Sequence, residues 1–308
     1  MKVLITGGAG FIGSHVIEKL LKEDCKITVL DNLHTGLREN VPEGIDFIEM
    51  DVCDQDIVTV LTARRFDAVI HLAGQTMVNV SVDDPYFDAQ VNLLGTINLL
   101  EACRKTGVKR VIFATTAAAY GDIEEMPVLE SFATEPTSFY GLSKLTVEKY
   151  LQLYHTLHDL EYVALRFANV YGERQGDGGE GGVISIFAKR IANGESISIY
   201  GDGNQTRDFI YVGDVAAAIC QSLGSSNCNS VYNISTKTEV SVNTVVTLFG
   251  EISGRAIAPA YCPARSGDIY RSVLSNDQAV AALDWQPKTS LKEGLARTYQ
   301  YFFEKNKK

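Results

Sequence analysis

Tyr140 and Lys144 stand four residues apart, downstream of a glycine-rich opening at Gly7, Gly10 and Gly13. A free phenol titrates at about pH 10 and is a poor base at neutral pH, so a chain that uses one must bring a cation to it. On a helix the i, i+4 spacing puts both side chains on one face. A fixed ammonium and a bound oxidised nicotinamide would both favour phenolate, which points to redox chemistry on a sugar-like alcohol. Taken alone the pair means little, because surface helices carry tyrosine and lysine at this spacing by chance. The run Gly7-Gly8-Ala9-Gly10-Phe11-Ile12-Gly13 gives it a context. It joins a strand-like run to a helical one, where glycine allows a tight turn, close backbone approach to a pyrophosphate and close helix packing, while the helix N-terminus adds partial positive charge. Its G-x-x-G-x-x-G spacing is one residue longer than the usual fingerprint. Asp31 closes the second strand-like run, 18 residues after Gly13. A carboxylate there accepts from adenosine ribose hydroxyls and repels a 2′-phosphate, so NAD is expected rather than NADP.

These residues need a frame, and the apolar spacing supplies one. Short buried strands are expected at 2–6, 26–30, 45–50, 67–71, 110–115 and 162–167, with helices at 11–21, 85–105 and 138–157. Strands separated by helices of this length pair in parallel through right-handed crossovers. The expected fold class is α/β, a doubly wound parallel Rossmann-type sheet with a smaller C-terminal α/β substrate domain. Residues 1–168, with a return segment at 208–238, would form the NAD-binding domain, and 169–207 with 239–308 the nucleotide-sugar domain. Beyond residue 170 the pattern loosens: helices are expected at 183–192, 212–223, 242–252, 277–283 and 291–303, and an extended run at 197–200.

The chain has 308 residues, is 45% hydrophobic and carries a net charge of −10. That balance argues against a nucleic-acid surface, which needs a basic stripe. Six cysteines stand far apart without a C-x-x-C pair, so reduced, buried thiols in a cytoplasmic protein are expected. His155 and His158 have no acidic or cysteine neighbour at ligand spacing, and no metal site is expected. Residues 1–6 already read as a strand, so no signal peptide is expected, and no apolar run is long enough to cross a bilayer. The glycine-rich stretch 176–182 reads as a mobile loop.

With these motifs in view, the chain resembles the extended short-chain dehydrogenase/reductase family and, within it, the UDP-glucose 4-epimerases. The resemblance spans nearly the whole length. It rests on the glycine turn, Asp31-Asn32-Leu33, Asp51-Val52, His71-Leu72-Ala73-Gly74, Val91-Asn92-Leu93-Leu94-Gly95-Thr96, the stretch 115–121, Tyr140-Gly141-Leu142-Ser143-Lys144, and the runs 166–172, 205–211 and Arg265-Ser266-Gly267-Asp268. It implies that Phe11, Ile12, Asn32, Asp51 and Val52 join the cofactor site. Leu72, Ala73 and Gly74 would line the path to the nicotinamide, and Asn92 would hold nearby backbone and cofactor. His71 is expected beneath the cofactor loop, and Trp285 as an anchor for the C-terminal segment.

The third catalytic position is Thr116, where the family usually has serine; it keeps the hydroxyl that can bridge the sugar oxygen and Tyr140. Ala117 and Ala118 replace the acidic residues that similar dehydratases and decarboxylases carry, leaving oxidation and re-reduction at one carbon as the simplest chemistry. In the mechanism so implied, Tyr140 takes the C4 hydroxyl proton with help from Thr116, while Lys144 binds the nicotinamide ribose and lowers the tyrosine pKa. Asn169, Arg207 and Arg265 resemble the diphosphate contacts, Asp268 the uridine-ribose carboxylate, and Ser198 and Tyr200 the frame of the uracil, with Val183 on the same side. Ser272, four residues after Asp268, is small, so UDP-N-acetylglucosamine is expected to be accepted alongside UDP-glucose. The helices at 85–105 and 138–157 would pair in a homodimer. A one-way oxidoreductase or another nucleotide-sugar epimerase of the same family is the alternative.

Overall fold

A computed structural model describes residues 1–176, 182–264 and 269–307. Its core is a sheet of seven parallel strands. Six are labelled in chain order: β1 (Lys2–Thr6), β2 (Lys26–Asp31), β3 (Asp46–Glu49), β4 (Ala68–His71), β5 (Arg110–Thr116) and β6 (Glu161–Phe167). The seventh, Ser230–Ile234, was not expected as a strand; it pairs with β6, and the spatial order runs from it through β6, β5, β4, β1 and β2 to β3. The order reverses between β1 and β4, which pair with Thr6 opposite His71. In a doubly wound sheet the ligand crevice lies beyond the strand ends at that reversal.

Alternation along each strand feeds two cores. Val3, Ile5, Val29 and Ile70 face helix α1 (Phe11–Leu20) and the helix Val212–Gly224. Leu4, Leu30, Val69 and Phe113 face helices α2 (Ile57–Arg64), α5 (Gly95–Thr106) and α6 (Phe139–His158). Burial on both faces explains why the strands read as continuous apolar runs rather than alternating ones.

The helix expected at 85–105 is three pieces, with a further short helix before it. Helix α3 (Val78–Asp83) precedes α4 (Pro85–Ala89), a π-helical turn spans Gln90–Leu94, and α5 follows. Pro85 suits a first helical position, and the Asp84 side chain accepts from the Phe87 amide at 2.9 Å, so a new helix starts there. The π turn takes up an extra residue and turns Asn92 inward, where it is 2% exposed.

The C-terminal half adds three short strand pairs, Asn169–Tyr171 with Phe209–Tyr211, Ser198–Tyr200 with Ala260–Cys262, and Thr206–Arg207 with Val240–Ser241. A third core of Phe187, Ile191, Ile199, Phe249 and Leu295 lies among them. Trp285 does anchor the C-terminal segment, donating from Nε1 to the Asp214 carbonyl at 2.9 Å. The six cysteines are all free, but only Cys103 is fully buried. The loop expected at 176–182 falls largely outside the described residues.

Candidate active site

A cavity of about 1000 Å³ opens at the reversal point. Gly7 closes β1 at φ +70°, and a Cβ on it would come within 2.6 Å of the Ala73 nitrogen. A Cβ on Gly13 would fall 2.3 Å from the Gly7 carbonyl oxygen, so only glycine lets α1 start this close to the turn. Gly10, Phe11 and Ile12 line the cavity, and the N-terminus of α1 has no side-chain cap. Asp31 is buried and accepts from the amides of Ala9 and Leu33, each at 2.9 Å. Burial, the largest influence, raises its pKa, while the two amides pull against it. Each carboxylate oxygen keeps a further lone pair, so Asp31 both shapes the glycine turn and presents acceptors to the cavity. Asn32 donates to Asp51 at 2.7 Å, and these two line the same end with Val52. An open cradle at the positive end of a helix, with a carboxylate 18 residues on, fits a dinucleotide.

Leu72, Ala73 and Gly74 continue the wall. Asn92 does not line the cavity; it stands behind Gly74, accepting from the Gln75 amide at 2.9 Å and donating to the Gln75 carbonyl at 3.0 Å. It holds nearby backbone, as expected. His71 lies below as expected, between the hydroxyls of Thr6 (2.7 Å) and Thr96 (2.9 Å). The Thr96 hydroxyl donates to the Asn92 carbonyl, so Nε2 of His71 carries the proton and Nδ1 accepts from Thr6. Burial lowers its pKa to about 3, which keeps it neutral.

Thr116, Tyr140 and Lys144 all line the cavity. Thr116 ends β5, its hydroxyl accepting from the Ala118 amide at 3.1 Å. Tyr140 and Lys144 sit in the first turns of α6, which Ser138 caps by accepting from the Gly141 amide at 3.1 Å. A Cβ on Gly141 would lie 2.5 Å from the Ala118 carbonyl oxygen, so glycine there lets the helix start against the Thr116 turn. Burial pushes the Tyr140 phenol up to about 12; the Thr116 hydroxyl pulls it down and the Asp88 carboxylate pushes it further up. Lys144 is 4% exposed, donates to the Ala114 carbonyl at 3.2 Å and lies 5.0 Å above the Phe113 ring. Burial lowers it to about 8, and Asp88 opposes that. The Lys144 ammonium lies beside the Ala114 carbonyl and Gly74.

A second buried network fixes the distance between β5 and α6. Glu148 accepts from Thr115 at 2.8 Å and from the Arg166 guanidinium at 3.0 and 2.6 Å. That guanidinium lies 4.5 Å over the Tyr120 ring, and the Tyr120 hydroxyl donates to Asn233 at 2.7 Å. Sequence reading did not find this pair, because the two residues are 18 apart and look like surface charges.

On the far side Asn169, Val183, Ser198, Tyr200 and Arg207 line the same cavity. Arg207 donates to the Thr206 carbonyl at 2.8 Å. Arg265 and Asp268 lie outside the described residues. Ser272 is half-buried between Val273 and an Arg271 that pairs with Glu239 at 2.7 Å, and it does not line the cavity. Gln75, Arg190 and Gln205 line the cavity without having been singled out. For Gln205, which donates to the Tyr200 carbonyl at 2.7 Å, the signal was its place in the 205–211 run.

A dinucleotide cradle beside a Thr-Tyr-Lys constellation, facing a second lobe with a cationic wall, defines a Rossmann-type nucleotide-cofactor site. Comparison with known proteins narrows this class. Residues 3–235 match the NAD dependent epimerase/dehydratase family. The structure of a UDP-glucose 4-epimerase from Thermotoga maritima, solved with UDP-glucose, is 40% identical with a TM-score of 0.96 and covers 99% of this chain and 100% of its own. A Thermus thermophilus UDP-glucose 4-epimerase in complex with NAD is 43% identical at a TM-score of 0.92, covering 98% and 99%. A UDP-N-acetylglucosamine 4-epimerase from Methanobrevibacter ruminantium, in complex with UDP-N-acetylmuramic acid, is 35% identical at 0.94, covering 99% and 98%. The chain belongs to the NAD dependent epimerase/dehydratase family.

Proposed function

We propose that the protein interconverts UDP-glucose and UDP-galactose by NAD-dependent epimerisation at C4 through a transient 4-keto sugar. The observation that carries this is the position of Thr116 and Tyr140 between the glycine cradle and the Arg207 wall, with only Ala117 and Ala118 beyond Thr116. Bound NAD would supply the acceptor for the C4 hydride and return it. Tyr140 takes and returns the C4 hydroxyl proton, Thr116 bridges the sugar oxygen and the phenol, and Lys144 donates to the nicotinamide ribose. Residues 1–168 with the return segment 208–238 form the cofactor unit. Asn169, Arg207, Tyr200 and Ser198, with Arg265 and Asp268, hold the UDP group, so the hexose can turn between the two hydride transfers. Ser272 gives no support to N-acetylated substrates, so the glucose and galactose pair leads.

The exposed apolar residues Val78, Val82, Tyr86 and Leu94, with Leu142, Leu153 and Leu157 on α6, form the face we assign to a homodimer. The relatives named above carry UDP-sugars or NAD in their solved complexes, which supports the reading. Incubating purified protein with UDP-glucose, UDP-galactose and their N-acetylated counterparts, and resolving products by NMR, tests it. Interconversion of the first pair is expected. An unchanged panel with NAD confirmed in the protein would overturn it.

A further inference from the structure

Asp88 is 1% exposed on α4, directly behind the wall of the catalytic pocket. Its Oδ1 accepts from Gln75 Nε2 at 2.8 Å and from Asn92 Nδ2 at 3.0 Å. Its Oδ2 is buried and, among the described residues, has no hydrogen-bond partner. A carboxylate so placed costs several kcal/mol unless a charge answers it. The cation on the other side of Gly74 is Lys144, itself buried. The two sides meet at Gly74: a Cβ there would lie 2.8 Å from Asn92 Oδ1 and 3.0 Å from Lys144 Nζ. We propose that Asp88 is the buried counter-charge of Lys144, a positioning residue that keeps the lysine an ammonium and, through Asn92 and Gln75, holds the pocket wall against it.

The surrounding elements offer little competition for this role. From β4 the lysine faces His71, which is neutral, and from its own helix Tyr140. Glu148, one turn along α6, is paired with Arg166. From β5 come the Ala114 carbonyl and the Phe113 ring. The acidic residues at the ends of α3, Asp83 and Asp84, are exposed, and Asp84 caps the Phe87 amide. Asp88 acts on both catalytic groups in the same direction, favouring the proton on Lys144 and on Tyr140. In an epimerase no proton leaves the pocket over a full cycle, so a charge that retains protons suits the chemistry. This role rests on the epimerase reading, but its test does not.

The test is the titration of Lys144 by ¹³C NMR of lysine labelled at Cε, in the full chain with NAD removed and with NAD restored. Lys144→Met identifies the resonance. In the native protein the midpoint is expected near 8 without NAD. In Asp88→Asn it should fall by about one unit, the low end of what a neighbouring opposite charge does. Both limbs of the pH profile of epimerisation should move to lower pH together. An unmoved midpoint, whatever the loss of rate or melting temperature, overturns the proposal and leaves Asp88 a structural residue. If Asp88→Asn does not fold, Asp88→Ser is titrated instead, and an unmoved Lys144 midpoint there overturns the counter-charge. Should no nucleotide sugar turn over, the Lys144 midpoint still reads the pairing, so the two failures are distinct.

Discussion

Replacing Lys144 with methionine should inactivate the protein and make it more stable at neutral pH. A free lysine titrates at 10.5, and burial of Lys144 lowers this to about 8. The difference, about 2.5 units at 1.36 kcal/mol each, means the native lysine destabilises the fold by about 3 kcal/mol below pH 8. Between about 8 and 10.5 the unfolded chain binds more protons than the folded one, so native stability rises with pH across that window and the penalty fades. Methionine fills nearly the same volume without a charge but loses the bond to the Ala114 carbonyl, so a net gain of about 2 kcal/mol is expected at pH 7. The gain should shrink towards zero by about pH 10.5. Tyr140 works the other way, since its folded pKa is raised from 10 to about 12 and stability is lost as pH climbs through that range. That loss is common to both proteins and cancels in the comparison. Urea unfolding at pH 7, 8, 9 and 10 measures it, on protein freed of NAD so that ligand affinity does not enter. A variant less stable than the native protein at pH 7, or a gap that does not change with pH, would refute the reasoning.

Three further outcomes follow from the same geometry. Tyr140→Phe should abolish turnover yet leave NAD affinity, read by cofactor fluorescence, within about threefold; residual epimerisation above a thousandth of the native rate would remove Tyr140 as the base. Glu148→Gln strands a buried guanidinium and should cost about 3–5 kcal/mol in denaturant unfolding. It should also lower kcat about tenfold with KM little changed, because Thr116 loses its register against Tyr140. The double change Glu148→Leu with Arg166→Met should recover most of the stability; a double variant no better than the single one speaks against the ion pair as cause. Gly7→Ala forces an alanine into positive φ and its Cβ to 2.6 Å from the Ala73 nitrogen, so NAD affinity measured by calorimetry should fall at least about tenfold. Unchanged affinity would mean that the turn does not cradle the cofactor.

The sheet was legible because strands buried on both faces leave unbroken apolar runs, and the glycine turn because positive φ and close backbone approach admit no other residue. The 85–105 segment misled for a physical reason. Its apolar spacing fits one helix, but Pro85, the Asp84 cap and the inward turn of Asn92 are local backbone events that periodicity does not register. Asp88, Gln75 and Glu148 were missed for another. A polar residue reads as surface until a partner far along the chain is known, and Glu148 meets Arg166 only because β6 lies beside β5. Ser272 does not line the cavity, and its expected place came from the resemblance and from its spacing to Asp268.

The sequence suggested that Tyr140 and Lys144 share one site, and both line the cavity. With the protein's own groups the phenol sits at about 12. Ionising it at pH 7 then costs about 5 units, or about 7 kcal/mol, which is too much for an efficient base. Lys144, held at about 8, is still an ammonium at pH 7, and a cation near a phenol favours the phenolate. Under the proposed function, an oxidised nicotinamide bound in the cavity would bring a further positive charge that favours the phenolate, and its reduction would remove that charge. On that reading the raised pKa would be no obstacle to catalysis: the basicity of Tyr140 would follow the redox state of the bound cofactor.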